Sequence, residues 1–167
     1  MNTLKNYMNS LSCQYSENEV QHYTGNKIID IIIHQKTEIC HKDGIDFKFK
    51  SNNISFDFVD EADICCILSN LLDNAIEAAR ESENKMIEIV FYSNDNKTMF
   101  FIEITNSCDK TPTIRKDTLL TNKADKKLHG IGIYSVKRTL EGYSGNINYS
   151  YDEKSSLFKI TVAIEKR

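Results

Sequence analysis

The sequence contains no apolar run approaching the ~18 residues a membrane-spanning helix needs. Its first residues, MNTLKNYMNS, hold no signal-peptide core. The expectation is therefore neither an integral membrane protein nor a secreted one. Net charge is low, −3 over 167 residues. Phosphate binding wants a basic face, so the charge argues against nucleic acid as the main partner. The five cysteines, Cys13, Cys40, Cys65, Cys66 and Cys108, are odd in number and irregular in spacing, which does not make a disulfide framework. Cys65 and Cys66 sit inside an apolar helical pattern and read as small core residues in a reducing compartment. There is no CxxC, and His22, His34, His41 and His129 are scattered, so no zinc site is expected. Proline occurs once, at Pro112, and no internal repeat is visible.

What is present is ordinary for a soluble globular chain: 40% hydrophobic and 27% charged residues. At roughly 150 residues per domain the length allows one domain with a short appendage. A chain of this size buries about two-thirds of its unfolded surface and needs no disulfide to fold.

The first 36 residues read as helical. Ser16 is a candidate cap with Glu17 and Glu19 behind it. Ile28/Ile32 and Ile29/Ile33 stack at i,i+4 after an irregular turn at Gly25-Asn26. IDFKFK (45–50) alternates as a half-buried strand, and Ile54–Phe56 reads as a short second one. Residues 60–82 form the clearest helix. Two strands, 86–92 and 98–105, pair around Ser93–Asn96. The polar stretch 107–128 is too long for a simple connection and reads as either a functional lid or a disordered segment. A helix over 131–141 and a hairpin of strands 146–152 and 157–165 close the chain. The fold class expected is α+β: a two-layer sandwich with helices on one face of a mixed, mostly antiparallel sheet.

Three features carry chemistry. In ILSNLLDNAIEAA (67–79), Asn70, Asn74 and Glu77 fall within about 60° of one another at 100° per residue. Ile64, Leu68, Leu72, Ala75 and Ala79 lie opposite. An amide oxygen suits Mg²⁺ and an amide NH₂ can donate to phosphate; a plain solvated face is the alternative. Asparagine is a poor helix former, so two of them one turn apart need compensation. In KKLHGIGIYSVKRTL (126–140), Gly130 and Gly132 stand where the lid gives way to a helix. Glycines there let backbone N–H groups close on an anion, and Lys123, Lys126 and Lys127 lie just upstream. Third, Phe100, Ile102, Ile104 and Asn106 share one strand face. An inward amide without a partner is costly, and the polar edge of a purine can supply one.

This set resembles the Bergerat-fold ATP-binding domain of the GHKL superfamily: gyrase, Hsp90, MutL and histidine kinases. NLLDNAIEAA (70–79) is similar to the N-box of sensor histidine kinases, and HGIGIYSVKRTLEGYSG (129–145) to their second glycine box. YTGNKIIDIIIHQK (23–36) resembles the end of their dimerisation hairpin. The nearest subgroup is the peptide-pheromone quorum-sensing kinases of Gram-positive bacteria. The resemblance implies a division into 1–36, the end of a dimerisation hairpin and linker, and 37–167, an ATP-binding catalytic domain with its lid at about 107–128. It implies ATP and Mg²⁺ as cofactors, with Asn74 as the Mg²⁺ ligand and Asn70 beside the phosphates. Asn106 would meet the adenine amino group, and Gly130, Gly132 and Lys123 the phosphates, with Glu77 and His129 in the same motifs. Implied partners are ATP/ADP, the dimerisation and phosphoacceptor domain of a parent kinase, a response regulator, and a second copy through the N-terminal helices. The parent would be anchored in the membrane with this domain in the cytoplasm.

Departures from that pattern matter. The first glycine box, usually Asp-x-Gly-x-Gly, reads Asn-Ser-Cys-Asp-Lys (106–110). The lid has no phenylalanine, and Leu119 and Leu120 stand in its place. None of His22, His34 and His41 is followed by an acidic residue, so the chain reads as a catalytic fragment acting on a histidine elsewhere. Asn70 stands where hydrolytic members carry glutamate, which favours a kinase over an ATPase. The alternatives are an anti-sigma-factor-type serine kinase of the same fold and a degenerate, non-catalytic recruitment module.

Overall fold

The computed structural model describes residues 24–52, 54–115, 118–120 and 129–166. Ser16, Cys13, His22 and the lysines at 123, 126 and 127 lie outside them. The first element among the described residues, α1 (Lys27–Lys42), starts where Gly25 takes φ +74° and Asn26 caps the helix. The Asn26 side chain accepts from the N–H groups of Ile28 and Ile29, both at 3.1 Å. Ile28, Ile29, Ile31, Ile32 and Ile33 are all buried on it. The helix runs without a break through residue 36, so the isoleucine cluster packs with the domain that follows.

Strand β1 (Asp46–Ser51) leads through a loop to α2 (Glu61–Arg80), then to β2 (Met86–Ser93) and β3 (Met99–Ser107). A small hairpin, β4 (Thr113–Arg115) and β5 (Thr118–Leu120), precedes α3 (His129–Glu141), and β6 (Asn146–Asp152) and β7 (Leu157–Glu165) close the chain. The main sheet has the order β1-β2-β3-β7-β6. Only β1 with β2 is parallel, α2 being their crossover; the other pairs are antiparallel.

Period-two alternation sorts the sheet into an inner and an outer face. Ile87, Ile89 and Phe91, Phe100, Ile102 and Ile104, and Phe158, Ile160, Val162 and Ile164 point inward and are buried. The outer face carries ion pairs such as Lys159 with Glu103 at 2.8 Å, and Lys50 with Glu88. Among the described residues three helices cover the inner face, which is the expected two-layer sandwich.

Two expectations need correction. Residues 54–56 are not a strand. Phe56 is fully buried, edge-on to Phe91 at 5.2 Å and to Phe100 at 5.9 Å, so the alternation there reflects a loop plugging the core. The polar stretch does not begin at 107 either: Ser107 belongs to β3, is buried, and its hydroxyl accepts from the Met86 N–H at 3.1 Å. No described helix is long and apolar enough to cross a membrane.

Candidate functional site

The site is organised by α2. Asp60 caps it, accepting from the Ala62 N–H at 2.8 Å, and Glu61 and Asp63 sit in the first turn where the helix dipole favours them. Ile64, Leu68, Leu71, Leu72, Ala75 and Ala79 are buried under it. Asn70, Asn74 and Glu77 are half-buried on the stripe beside that apolar face.

The compensation that a mid-helix asparagine needs is visible at Asn70. Its Nδ2 donates to the Cys66 carbonyl, one turn back, at 2.7 Å. That bond aims Oδ1 away from the helix, toward α3. A Cβ placed on Gly132 would lie 2.8 Å from Asn70 Oδ1. Gly132 is therefore glycine because an amide from α2 occupies its side-chain space. Since α3 begins at His129, Gly130 and Gly132 lie inside its first turns.

Further along, the Thr139 hydroxyl donates to Cys66 Sγ at 3.8 Å. Tyr143 OH donates to Asp63 Oδ2 at 2.6 Å and accepts from the Asp60 N–H at 3.0 Å. Burial, then the Asp63 bond, push the Tyr143 phenol up. These contacts run α3 antiparallel along α2. Asn74 differs from Asn70: among the described residues its amide has no hydrogen-bond partner.

Asn106 ends the inner face of β3, buried beside Ile87 and Phe158. Its Nδ2 donates to the Ser107 carbonyl at 2.9 Å. The inward amide thus satisfies its donor locally, and among the described residues its Oδ1 accepts no hydrogen bond. The glycine-free loop that follows is tied down on both sides. The Cys108 N–H donates to the Ser156 carbonyl at 2.8 Å, and the Cys108 carbonyl accepts from Tyr151 OH at 3.0 Å. Asp109 accepts from the Ser82 hydroxyl at 2.9 Å and the Glu83 N–H at 2.7 Å, and Lys110 pairs with Glu81 at 2.7 Å.

Asn70 and Gly132 thus meet at the α2–α3 seam; Asn74 and Glu77 continue the same stripe of α2, and Asn106 lies on β3 beneath that helix. His129 opens α3 and Gly130 follows it; Lys123 lies outside the described residues. Sequence reasoning missed two things. One is the clasp from Asp109 to Ser82 and Glu83, which spans distant segments and has no local signature. The other is Lys36, buried on α1 with its Nζ 2.7 Å from Asp73 Oδ1. Its signal was available: a lysine four residues after Ile32 and seven after Ile29 interrupts an apolar stripe.

The family model for the GHKL domain matches residues 59–164. The nucleotide-free catalytic domain of the histidine kinase ThkA is similar in structure, with a TM-score of 0.63 at 22% identity, over 89% of this chain and 98% of that one. The Acinetobacter baumannii histidine kinase AdeS gives 0.61 at 16% identity, over 98% of this chain and 75% of that one. Full-length ShkA in complex with AMPPNP gives 0.58 at 14% identity, over 80% of this chain and 29% of that one. These likenesses are of fold: the five-stranded sheet with helices on one face is the Bergerat fold. No curated protein matches the sequence.

Proposed function

The chain belongs to the GHKL family, whose domains bind ATP, and from that premise we propose that it is the catalytic domain of a two-component histidine kinase. One observation supports this reading most: Asn74 offers a half-buried amide with no partner among the described residues, one turn beyond an Asn70 whose Nδ2 is held by the Cys66 carbonyl. That bond measures 2.7 Å, so the two amides of one stripe are in different states.

The donor set fits Mg²⁺, a hard cation that takes neutral oxygens and keeps several waters and phosphate oxygens. Asn74 Oδ1 is the group that would hold it, and the ion when bound neutralises charge on the triphosphate. The chain's own residues supply positioning and electrostatics, the usual terms in phosphoryl transfer. The first turn of α3, with His129, Gly130 and Gly132, presents backbone N–H groups to an anion at the positive end of the helix. Lys123 is the lid cation assigned to the same oxygens. Asn106 Oδ1 is left to accept from an adenine amino group, because Nδ2 is already spent on Ser107. Glu77, on the same α2 stripe, completes the polar wall. Asn70 cannot act as a general base toward water, so transfer to a protein side chain is favoured over hydrolysis.

The acceptor in this reading is a histidine on a separate helical hairpin of the parent kinase, with a response regulator receiving the phosphoryl group next. Pairing of two copies through the N-terminal helices, a membrane-anchored parent and a quorum-sensing input belong to the same proposal. Calorimetry with ADP and AMPPNP, with and without Mg²⁺, tests the binding step. Transfer from labelled ATP to a supplied hairpin then tests the chemistry. No heat at millimolar nucleotide leaves the recruitment module. Acid-stable label on a partner serine, with none on histidine, selects the anti-sigma-type kinase.

A further inference from the structure

Two adjacent stripes of α2 have separate tasks. Cys65, Ser69, Asp73 and Arg80 lie within about 80° of one another at 100° per residue, and Cys66, Asn70, Asn74 and Glu77 occupy the next sector. The second stripe is the amide wall of the site. The first faces α1, whose matching face is Ile29, Ile32, Lys36, Cys40 and Asp43.

Two ion pairs join these faces. Lys36 of α1 reaches Asp73 of α2 at 2.7 Å, and Arg80 of α2 reaches Asp43, the C-cap of α1, at 2.6 Å. The partners are seven residues apart on both helices, so α1 and α2 run side by side in the same direction. The charges are reciprocal, cation on α1 in one pair and on α2 in the other. Sliding α1 by a turn breaks both.

The two pairs are not equal. Arg80 and Asp43 are substantially exposed, and pairs of that kind contribute little. The Lys36 side chain is 4% exposed, while that of Asp73 is 63% exposed. Lysine is almost never so buried. Both stem and ammonium are shielded from water, and the ammonium is paired with Asp73. Asp73 immediately precedes Asn74.

We infer that Lys36 is a positioning residue for the nucleotide site, setting the rotation of α2, and with it the direction of Asn74, by gripping Asp73. This rests on the reading of Asn74 given above. A rotation of α2 by about 20° carries a side-chain tip about 2 Å around an axis with a radius of about 5–6 Å. A misplacement of about 1 Å is enough to cost ~100-fold in a transfer step. Gripping at Asp73 is efficient because the grip and the ligand are consecutive residues of one rigid helix.

The test uses the whole chain as wild type, Lys36→Met, Lys36→Arg, Asp73→Ala and the Lys36→Met/Asp73→Ala double variant. Affinity for AMPPNP with Mg²⁺ is measured by calorimetry and stability by thermal melt, and the Asn74 side-chain amide is followed by NMR. Lys36→Met should shift the Asn74 amide resonance and weaken nucleotide binding about fivefold or more. Lys36→Arg should restore most of that, and Lys36→Met should add nothing once Asp73 is already alanine. Wild-type affinity and an unmoved Asn74 resonance in Lys36→Met overturn the inference, even if its melting temperature falls. Should Lys36→Met not fold, Asp73→Ala decides through affinity, because it removes the acceptor of the Lys36 ammonium from the exposed end of the pair; unchanged binding there overturns the inference. Should the wild type bind no nucleotide, the functional reading fails separately, and the Asn74 resonance in Lys36→Met still decides the positioning claim.

Discussion

Asn70 Oδ1 of α2 occupies the space a side chain would take at Gly132 of α3, 2.8 Å from where that Cβ would stand. Two opposing effects make this testable. Glycine in a helix interior costs about 1 kcal/mol relative to alanine, so Gly132→Ala on a free helix face stabilises. Overpacking a filled space costs about 1–3 kcal/mol. Asn70 cannot simply swing aside, because its Nδ2 is held by the Cys66 carbonyl at 2.7 Å. Gly132→Ala should therefore destabilise by about 1 kcal/mol in wild type and stabilise in an Asn70→Ala background. Urea unfolding of the four proteins gives the cycle. Additive effects would mean that the two residues do not touch.

Asp109 is expected to anchor the loop that stands in place of the first glycine box. Its carboxylate receives the Ser82 hydroxyl and the Glu83 N–H, at 2.9 and 2.7 Å. Hydrogen bonds to a charged group are each worth about 1.5–3 kcal/mol, less where solvent competes. Asp109→Ala should cost about 2 kcal/mol in denaturant unfolding and speed hydrogen exchange at 108–110. Unchanged exchange would show that the Cys108 bonds to Ser156 and Tyr151 hold the loop unaided.

Cys40 gives a pH dependence of known sign. The thiol is buried between α1 and its surroundings, and burial, followed by the nearby Asp43 charge, raises its pKa from 9.0 to about 11. The unfolded chain ionises first, so the stability linked to this group is complete below pH 9 and is lost as pH rises toward 11. Each pH unit in that window removes on the order of 1.4 kcal/mol. Denaturant unfolding at pH 8, 9.5 and 11 should show a steeper fall for wild type than for Cys40→Ala. Parallel curves would place the proton linkage elsewhere.

Much of the fold was legible because it rests on periodicity. The three helices and the five strands of the main sheet follow from 3.6- and 2-residue patterns, and the Ile28–Ile33 cluster resolves as helix by its i,i+4 stacking. Ile54–Phe56 misled because alternation cannot tell a strand from a loop whose aromatic residues dip into a core. At the site, Asn70, Asn74 and Asn106 were readable as polar residues at helix and strand positions that require a reason. Gly132 was readable as a glycine, but not as the receptacle for Asn70, which depends on where two helices meet 62 positions apart in the chain. Lys36 carries a signal of its own: a lysine in an apolar stripe is either a misfit or a buried ion pair.

Asn74→Asp separates the functional reading from the bland one. The side chains are nearly isosteric, and among the described residues the Asn74 amide makes no hydrogen bond that the change would break. Packing should hold, and the melting temperature should move little. The neighbouring Asp73 side chain is 63% exposed, so repulsion between the two carboxylates is screened by solvent. A solvated helix face predicts almost nothing, within about ±0.5 kcal/mol of stability. The nucleotide site predicts much more. Asp cannot donate when ionised, and it adds negative charge beside a triphosphate in a confined site. It still offers an oxygen to Mg²⁺, so nucleotide affinity should fall less than the transfer rate. Removing one preorganised electrostatic contact costs about 2.7–4 kcal/mol of transition-state stabilisation, or ~100- to 1000-fold in rate. The measurement is transfer from labelled ATP to a supplied acceptor hairpin, with calorimetry and a melt on the same preparation. Transfer at the wild-type rate would mean that Asn74 faces solvent and not the nucleotide.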